Sequence, residues 1–234
     1  MMGVLGQGEI TGGFGVEELV GIPSAASSSE DAALQKRLLR ADLLALREGE
    51  NSAVRAATDA RIKTQLVSLP SYQAAQTVFC YISVGSEVDT QSLIIEMLAS
   101  GKSVCVPLCE GGGHMHARLL SSLDDLEDGV WGIPAPPEKS PRIAPAEIDI
   151  IIVPCLSCDS TGYRIGYGGG YYDRYIEQLI VEGVAGNKPI TLALCRENLL
   201  QETVPREEHD QPVDIVVTEK AVLYPGSAPP GHSA

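Results

Sequence analysis

The sequence predicts an α/β fold of three layers, in which helices flank a mostly parallel central sheet. Two observations predict it: segments of helical periodicity alternate with short apolar runs, and those runs are continuous rather than alternating. Continuous apolar runs are typical of strands that are covered on both faces, and such strands are usually parallel. Ligand sites in folds of this kind lie at the carboxyl ends of the strands. The runs are Ser103–Pro107, Ile148–Pro154, Ile190–Cys195 and Val213–Thr218.

The first part of the predicted domain is helical. Ser27 and Glu30 form a capping-box pattern, and apolar residues then recur at helical spacing to about Arg47. A second helix follows and stops at Leu69, because the residue before a proline, here Pro70, prefers extended geometry.

The first strand, Thr77–Ser83, is predicted from its β-branched and aromatic residues. Asp89 or Thr90 is the predicted N-cap of the next helix, which runs through Ser100 and ends at Gly101. The four apolar runs then supply the remaining strands.

Composition at the two ends predicts the limits of the domain. Residues 1–29 contain seven glycines and end in a serine cluster, so we expect a flexible extension that buries little apolar surface. Residues 225–234 are rich in proline, glycine and serine and are predicted to form a flexible tail. The remaining residues, 30–224, are predicted to form a single domain.

The charge balance restricts the partners. The chain has 31 acidic and 17 basic residues and a net charge of −14, which argues against duplex nucleic acid or an anionic membrane as its main partner. The apolar runs are much shorter than the roughly 20 residues that a membrane-spanning helix needs. Because the first basic residue is Lys36, we expect no secretory signal and a cytoplasmic protein.

Six cysteines fall mostly within apolar runs, which suits buried thiols in a reducing compartment. Two zinc sites are conceivable alternatives. We prefer core thiols, because the cysteines at 105 and 155 lie in strand-like runs and the spacing fits no familiar zinc motif. The alternatives would use Cys105, Cys109, His114 and His116 in the first case, and the C-x-x-C pair Cys155 and Cys158 in the second.

A glycine-rich stretch carries the strongest functional signal. Gly166, Gly168, Gly169 and Gly170 lie between a predicted buried strand and a predicted helix that ends at Gly183. Glycines allow successive N–H groups to converge on an anion, and the start of the helix adds the positive end of its dipole. The stretch matches neither G-x-G-x-x-G nor the Walker pattern. It predicts a phosphate site, and the alternative is a tight connection that binds nothing.

The neighbours of these glycines favour the phosphate interpretation. Arg164 supplies a permanent cation, and Asp173, in the first turn of the helix, supplies the hard oxygen ligand that Mg²⁺ prefers. Five of the eight tyrosines lie in the same segment and are expected to line a pocket for a flat ring. They are Tyr163, Tyr167, Tyr171, Tyr172 and Tyr175.

The run from Arg164 to Asp173, preceded by Asp159, resembles the signature of the 5-formyltetrahydrofolate cyclo-ligases, also called methenyltetrahydrofolate synthetases. Further blocks resemble the same family in order and spacing, over about residues 33–218. They are Lys36-x-x-Leu39-Arg40, Tyr81 through Glu87-Val88-Asp89-Thr90, Trp131 through Pro136, and Pro205 through Asp210.

This resemblance implies an enzyme that uses ATP and Mg²⁺ to convert 5-formyltetrahydrofolate, with or without a polyglutamate tail, into 5,10-methenyltetrahydrofolate. Transfer of the γ-phosphoryl group would activate the formyl oxygen as an iminium phosphate. N10 of the folate would then close the ring as phosphate departs, and ADP is the other product. Positioning and charge neutralisation should do most of the catalytic work. We expect a monomer.

The resemblance also implies roles for individual residues. Glu87 would accept hydrogen bonds from the pterin ring. The predicted catalytic residues are Lys36 and Arg164, and the predicted metal ligands are Asp173 and Glu207, with Asp210 as a further candidate. The predicted ATP contacts are Lys36, Arg40, Arg164, Gly166, Gly168, Gly169, Gly170, Tyr171 and Tyr172. The predicted folate contacts are Glu87, Met115, Trp131 and Tyr171.

Two other classes are open on the sequence alone. One is a non-catalytic relative that binds folate or nucleotide, and the other is a sugar-phosphate or CoA-handling enzyme on a similar layered fold. The presence of Lys36, Glu87, Arg164 and Asp173 together favours the cyclo-ligase, because a binder would not need both metal and phosphate groups.

Overall fold

The computed structural model describes residues 29–181 and 188–226. Residues 1–28, residues 227–234 and Gly183, which is the predicted end of the last helix, lie outside the described residues. The predicted domain limits and the predicted flexibility of the two ends therefore stay predictions.

Five α-helices and eleven strands occur in the described part of the chain. The helices are α1 (Ser29–Gly49), α2 (Ser52–Ser68), α3 (Pro70–Ala74), α4 (Gln91–Ala99) and α5 (Tyr171–Val181). The strands are β1 (Thr77–Cys80), β2 (Ser103–Cys109), β3 (Met115–Leu120), β4 (Glu127–Asp128), β5 (Pro134–Ala135), β6 (Ile150–Val153), β7 (Ser157–Cys158), β8 (Arg164–Ile165), β9 (Ile190–Leu194), β10 (Ile215–Val217) and β11 (Val222–Leu223).

Seven of these strands form the central sheet, in the order β11-β10-β9-β6-β1-β2-β3. The five inner strands run parallel to one another, whereas the edge strands β3 and β11 are antiparallel to their neighbours. The inner strands are the first predicted strand and the four apolar runs. The prediction of a mostly parallel sheet is confirmed.

Helices cover both faces of the sheet and complete the three predicted layers. Successive residues of β1 show this, because neighbouring side chains of a strand point to opposite faces. Val78 and Cys80 belong to the core formed with α2, α3 and α4, and Phe79 belongs to the core formed with α1 and α5. All four residues of β6 are buried, which explains why its sequence is continuously apolar.

Local signals explain where the helices begin and end. Asn51 caps α2, because its side-chain oxygen accepts two backbone N–H groups of the first turn. The helix ends at Ser68, and Pro70 begins α3, where a proline is well tolerated. The side-chain cap of α4 comes from Asp89, which accepts the N–H groups of residues 91 and 92, and not from Thr90.

The strand β1 is three residues shorter than predicted. It ends at Cys80 rather than Ser83, because the Thr90 hydroxyl binds the residues that follow. Thr90 Oγ1 accepts the N–H of Ser83 at 2.9 Å and donates to the carbonyl of Tyr81 at 2.7 Å. These bonds fix the position of the chain just beyond the strand.

Several short antiparallel elements were not predicted. The edge strand β3 pairs with β2, and two small hairpins form from β4 with β5 and from β7 with β8. The second hairpin matters for the site, because it pairs Cys158 with Arg164 and thereby fixes the start of the glycine-rich stretch. The glycines themselves connect β8 to α5.

Candidate active site

A cavity of about 800 Å³ opens at the carboxyl ends of the parallel strands. Tyr81 and Ile82, which follow β1, and Pro154, which follows β6, line its inner part. Helix α1, the loop between β8 and α5, and residues 207, 209 and 210 form much of the remaining lining. The others include Val84, Glu87, Pro107, Cys109, Trp131 and Ile133. The cavity therefore lies where the α/β fold is expected to bind its ligand.

Every predicted site residue except Met115, Tyr163 and Tyr175 lines this cavity. The prediction was wrong for the two tyrosines, because Tyr175 is buried in the core and Tyr163 packs against that core. Met115 begins β3 and is only 5% exposed in the core, outside the lining. The residues that the fold brings together are Lys36, Arg40, Glu87, Trp131, Arg164, Gly166, Gly168, Gly169, Gly170, Tyr171, Tyr172, Asp173 and Glu207.

The glycine loop has a backbone that other residues rarely adopt. Gly168 and Gly170 have φ angles of +92° and +64°, in the left-handed region where a Cβ atom causes strain. Two arginines hold the carbonyls of the loop: Arg40 Nε donates to Gly166 O at 2.7 Å, and Arg174 Nη2 donates to Gly169 O at 2.5 Å. The loop shape is therefore fixed in advance of any ligand.

Arg164 and Asp173 form an ion pair at the base of this loop. Arg164 Nη2 donates to Asp173 Oδ1 at 2.9 Å, and Nη1 donates to the carbonyl of Gln211 at 2.5 Å. The N–H of Gln211 also donates to Asp173 Oδ1. The Arg164 side chain is 5% exposed, so its charge needs these partners. Within the described residues, Asp173 Oδ2 has no hydrogen-bond partner.

Lys36 joins α1 to the segment that carries the second predicted metal ligand. Its Nζ lies 2.8 Å from Glu207 Oε2 and 2.5 Å from Asp210 Oδ2. Asp210 Oδ2 also accepts the N–H of Glu207, which closes the segment into a turn. One ammonium thus lies between two carboxylates. We call Lys36, Arg40, Arg164, Asp173 and Glu207 the charged set.

Glu87 lies at the end of a chain of hydrogen bonds. Arg47 Nη1 donates to the Tyr167 hydroxyl at 2.7 Å, and that hydroxyl bonds the Glu87 carboxylate. Glu87 Oε2 also accepts the N–H of Val84 at 2.8 Å. Burial raises the pKa of Glu87 above its ordinary value, and the bonds from Tyr167 and Val84 oppose that rise. Burial likewise raises the pKa of Tyr167.

Aromatic rings line the cavity beside these groups. Trp131 contacts Tyr171 edge to face, with ring centroids 5.6 Å apart, yet 72% of its surface is exposed. Its φ of +58° is the one left-handed value at a residue other than glycine within ranges 29–181 and 188–226. The hydroxyl of Tyr172 is buried and has no hydrogen-bond partner in the same ranges. We call Glu87, Trp131, Tyr167, Tyr171 and Tyr172 the aromatic set.

A buried ion pair that the sequence analysis missed supports Glu87. Arg196 is 1% exposed and binds Asp59 through two nitrogens, each 2.8 Å from a carboxylate oxygen. The same guanidinium donates to the carbonyls of Ser86 and Glu87. No local signal marks this pair, because its members are 137 residues apart. Arg47 could have been predicted as a neighbour of the site, because it lies on the same helix as the predicted site residue Lys36.

The structure does not bring the first zinc alternative together. Cys105, Cys109, His114 and His116 form no common group in the described part of the chain. The C-x-x-C pair lies in a different group, which Cys195 completes.

Comparison with known families identifies the chain. The sequence model of the 5-formyltetrahydrofolate cyclo-ligase family matches residues 32–219. The chain belongs to this family. The resemblance seen in the sequence and the expected enzyme class, a ligase of folate metabolism, are thereby confirmed.

Relatives of the cyclo-ligase family are similar over most of the chain. The mouse 5-formyltetrahydrofolate cyclo-ligase is 28% identical over 191 residues, which cover 79% of this chain and 93% of the mouse protein. A probable 5-formyltetrahydrofolate cyclo-ligase of Schizosaccharomyces pombe is 32% identical over 168 residues, which cover 68% of this chain and 82% of the yeast protein.

Solved structures share the cyclo-ligase fold. The solution structure of 5,10-methenyltetrahydrofolate synthetase from Aquifex aeolicus superposes with a TM-score of 0.71 at 30% identity, over 85% of this chain and 97% of that one. A synthetase from Mycoplasma pneumoniae has the same fold, with a TM-score of 0.62 at 17% identity, over 79% of this chain and 98% of that one. The fold prediction is confirmed independently of the site.

Among the described helices of this cyclo-ligase family member, none is both long enough and apolar enough to span a bilayer.

Proposed function

We propose that this chain converts 5-formyltetrahydrofolate into 5,10-methenyltetrahydrofolate, with ATP and Mg²⁺ as co-reactants and with ADP and phosphate as products. One observation carries the proposal: a single cavity is lined by both the charged set and the aromatic set. Cations and a glycine loop suit a triphosphate, and a carboxylate among aromatic rings suits a pterin. An enzyme that phosphorylates a folate needs both within reach of each other.

The charged set supports the ATP part of the proposal. Arg164 is held by two partners, so little side-chain entropy would be lost when it contacts phosphate oxygens. Arg40 binds the glycine loop through Nε, and among residues 29–181 and 188–226 its two terminal nitrogens have no hydrogen-bond partner, so they can contact a phosphate. Lys36 and Arg164 would contact the transferred phosphoryl group, and the loop from Gly166 to Tyr172 would surround the triphosphate.

The carboxylates of the charged set are of the kind that binds magnesium, and Glu207 forms a close group of donors with His209 and Asp210, to which Asp173 does not belong. Asp173 and Glu207 each keep one carboxylate oxygen free of hydrogen bonds to the described residues. Such oxygens are the ligands that Mg²⁺ prefers, so these two side chains would hold the ion. When bound, it would supply charge neutralisation at the phosphate oxygens.

The aromatic set supports the folate part. Glu87 is held by Val84 and by Tyr167, which fixes the carboxylate that would accept hydrogen bonds from the pterin. Trp131 and Tyr171 would pack against the folate, and the unpaired hydroxyl of Tyr172 is available to a polar atom of a ligand. Met115 is buried away from the cavity, and we propose for it a supporting role beneath the site.

This arrangement supports the following reaction. The formyl oxygen of the substrate attacks the γ-phosphorus of ATP, the bond to ADP breaks, and an iminium phosphate forms. N10 then attacks the activated carbon to close the ring and loses its proton to solvent, and the carbon–oxygen bond to phosphate breaks to give the methenyl product. Holding the two substrates in line, and neutralising charge on the phosphoryl group, accounts for most of the expected rate.

A turnover assay tests the proposal. Purified protein with 5-formyltetrahydrofolate and Mg-ATP should develop the near-ultraviolet absorbance of the methenyl product. Asp173→Ala should lower turnover by about 10³-fold or more, because it removes a proposed metal ligand and leaves the Arg164 charge without its carboxylate.

The matched control is Glu177→Ala, one helical turn along α5 at an exposed position. This variant should keep wild-type turnover. Binding of folate and nucleotide by calorimetry without product formation would contradict the proposal and would instead support a non-catalytic binding protein.

We also infer a monomer in the cytoplasm. One chain supplies the whole cavity described above, and its six cysteines are free, as a reducing compartment requires. Sedimentation tests the monomer, and fractionation tests the location, since a relative from Arabidopsis thaliana is named as mitochondrial.

KM values for substrates with one and five glutamates test whether a polyglutamate tail contributes to binding.

A further inference from the structure

Three of the six cysteines converge beside the cavity. Cys155 follows β6, Cys195 follows β9 directly, and Cys158 lies in β7. The parallel register of β6 and β9 pairs Val153 with Ala193, so residues 155 and 195 occupy equivalent positions beyond the two strands. The three Sγ atoms all lie within 4.8 Å of one another, and those of Cys155 and Cys158 are 3.5 Å apart.

The environment of this group favours an anion on one of the three sulfurs, that of Cys155, while hydrogen bonds to Cys155 raise the pKa of the Cys158 and Cys195 thiols. Hydrogen bonds from Cys158 and Cys195 lower the pKa of the Cys155 thiol well below its ordinary value, and the charges of Arg164 and Arg47 act in the same direction. Isolated core thiols behave in the opposite way, since burial raises the pKa of Cys105 to about 12. A thiolate, and not a thiol, is the form that binds metals.

The distances suit a metal ion held by three sulfurs. Metal–sulfur bonds of about 2.3 Å place ligand sulfurs roughly 3.8 to 4.0 Å apart. The Sγ atoms of Cys155 and Cys158 are 3.5 Å apart and all three lie within 4.8 Å of one another, so small side-chain rotations would bring them to that spacing. No nitrogen or carboxylate ligand joins the group in the described ranges. Three soft donors alone satisfy a three-coordinate ion such as Cu⁺, whereas Zn²⁺ normally takes four ligands.

The group is also accessible. Cys158 and Cys195 are buried, but Cys155 is only partly buried and follows Pro154, which lines the cavity. Cys155 is therefore the member of the group through which an ion would enter. Once bound, it would cross-link the ends of β6 and β9 to the hairpin that carries Arg164.

We propose that Cys155, Cys158 and Cys195 form a binding site for a soft monovalent metal ion, with trigonal sulfur coordination of the kind that Cu⁺ adopts. Binding forms three metal–sulfur bonds and releases the remaining thiol protons to solvent. The proposal does not depend on the proposed folate reaction, because neither the ligands nor the measurement involves folate or ATP.

The test is a Cu⁺ competition titration. Reduced full-length protein is titrated under nitrogen, without thiol reductant, against a chromophoric Cu⁺ chelator. We expect one Cu⁺ to be withdrawn per chain, with ultraviolet sulfur-to-copper charge-transfer absorbance. Cys195→Ala should weaken the affinity by about 100-fold or more, since the loss of a ligand should exceed the 10- to 100-fold effects of outer-shell changes.

Cys109→Ala is the matched control, because Cys109 is a partly buried thiol outside the group. This variant should keep the wild-type affinity within about threefold, as expected where no ligand is lost. Unchanged Cu⁺ affinity in Cys195→Ala would overturn the proposal, and so would a wild-type protein that withdraws no Cu⁺.

X-ray absorption of the wild-type complex keeps the test decisive even where a variant fails to fold. Three sulfur neighbours around copper support the proposal, and nitrogen or oxygen neighbours overturn it. A parallel titration with Zn²⁺ shows whether the site prefers Cu⁺ or Zn²⁺. Tight Zn²⁺ binding without Cu⁺ binding would overturn the trigonal assignment.

Discussion

The charged set and the aromatic set line one cavity but are built on different principles. In the charged set the cations already have protein partners, since Arg164 binds Asp173 and Lys36 binds Glu207. In the aromatic set, groups are left for a ligand: Trp131 is largely exposed, and the Tyr172 hydroxyl is unpaired within the described residues. A ligand must exchange partners in the first set and adds contacts in the second.

The two sets also differ in what holds them. In the charged set, Arg164 and Asp173 are nine residues apart, whereas Lys36 and Arg40 of α1 bind residues that are 171 and 126 positions away. The aromatic set depends on the distant pair of Arg196 and Asp59, which binds the turn that bears Glu87. Because the charged set would contact the phosphoryl group and the aromatic set would contact folate, substitutions in the charged set should reduce kcat, whereas those in the aromatic set should raise the KM for folate.

The largest effect is expected for the buried ion pair of Arg196 and Asp59, which supports the aromatic set. Asp59→Ala leaves the Arg196 charge buried without its carboxylate, and breaking a buried pair in this way costs about 3–5 kcal/mol. Urea unfolding measures the loss, and the exposed Asp42→Ala serves as control, with a change of about 0.5 kcal/mol or less. A loss as small as the control's would show that the long-range pair does not stabilise the fold.

The next largest effect is expected for Arg164, which belongs to the charged set. Arg164→Lys keeps the charge but cannot bind Asp173 and the Gln211 carbonyl with one planar group. We expect kcat/KM to fall about 100-fold, or about 2.7 kcal/mol, with the KM for folate nearly unchanged. Steady-state kinetics measures this against Arg37→Lys, an exposed position on α1. A rise in the folate KM alone would contradict the division into two sets.

A smaller effect is expected for Glu87→Gln. The substitution replaces one acceptor oxygen with an NH2 donor and removes the charge, which should raise the KM for folate about tenfold, with a smaller change in kcat. Binding of the nucleotide, followed by calorimetry, should be unchanged and serves as the internal control. Weaker nucleotide binding would show that the two sets are not separate.

A further prediction for Glu87→Gln concerns how the stability of the chain depends on pH. Burial raises the Glu87 pKa above its ordinary 4.5, so the folded chain binds this proton more tightly than the unfolded chain does. The residue thus favours folding below the ordinary pKa, and that contribution is lost as the pH rises through the folded pKa. Glu87→Gln should remove this part of the pH dependence, as measured by urea unfolding from acid to neutral pH. An unaltered profile would contradict the assignment.

The smallest effect concerns Trp131. Trp131→Gly removes an exposed ring and relieves a left-handed backbone, so we expect stability to rise by about 1 kcal/mol. The KM for folate should rise about fivefold, because edge contacts of an aromatic ring are worth about 1 kcal/mol. Trp131→Ala is the control, since it removes the ring and keeps the strain. Equal stability in the two variants would show that the backbone is not strained.

Elements with local signals could be predicted from the sequence. The inner strands are buried on both faces and had to be apolar throughout, and Pro70 fixed the end of α2. The edge strand β3 escaped prediction, because the polar residues His116 and Arg118 alternate with buried ones over only six residues. Half-covered short strands have a weaker pattern than fully covered ones.

The residues of the candidate site also differ in whether a local sequence signal marks them. The glycine loop, Arg164 and Asp173 lie within ten residues, so their chemistry could be recognised before any fold was known. Met115 could not be excluded as a folate contact, because its burial depends on how β3 pairs with β2. The third cysteine of the sulfur group was likewise hidden, since only the C-x-x-C pair is local.

The sequence by itself determined the class of fold, the position of the glycine-rich loop and the family, because each rests on residues that are neighbours along the chain. Only the tertiary structure decided which distant side chains meet: Arg196 with Asp59, Lys36 with Glu207, and Cys195 with Cys155. The physical reason is that these pairs follow from the order of strands in the sheet and the helices packed on it. That order depends on the burial of the whole core rather than on any local segment.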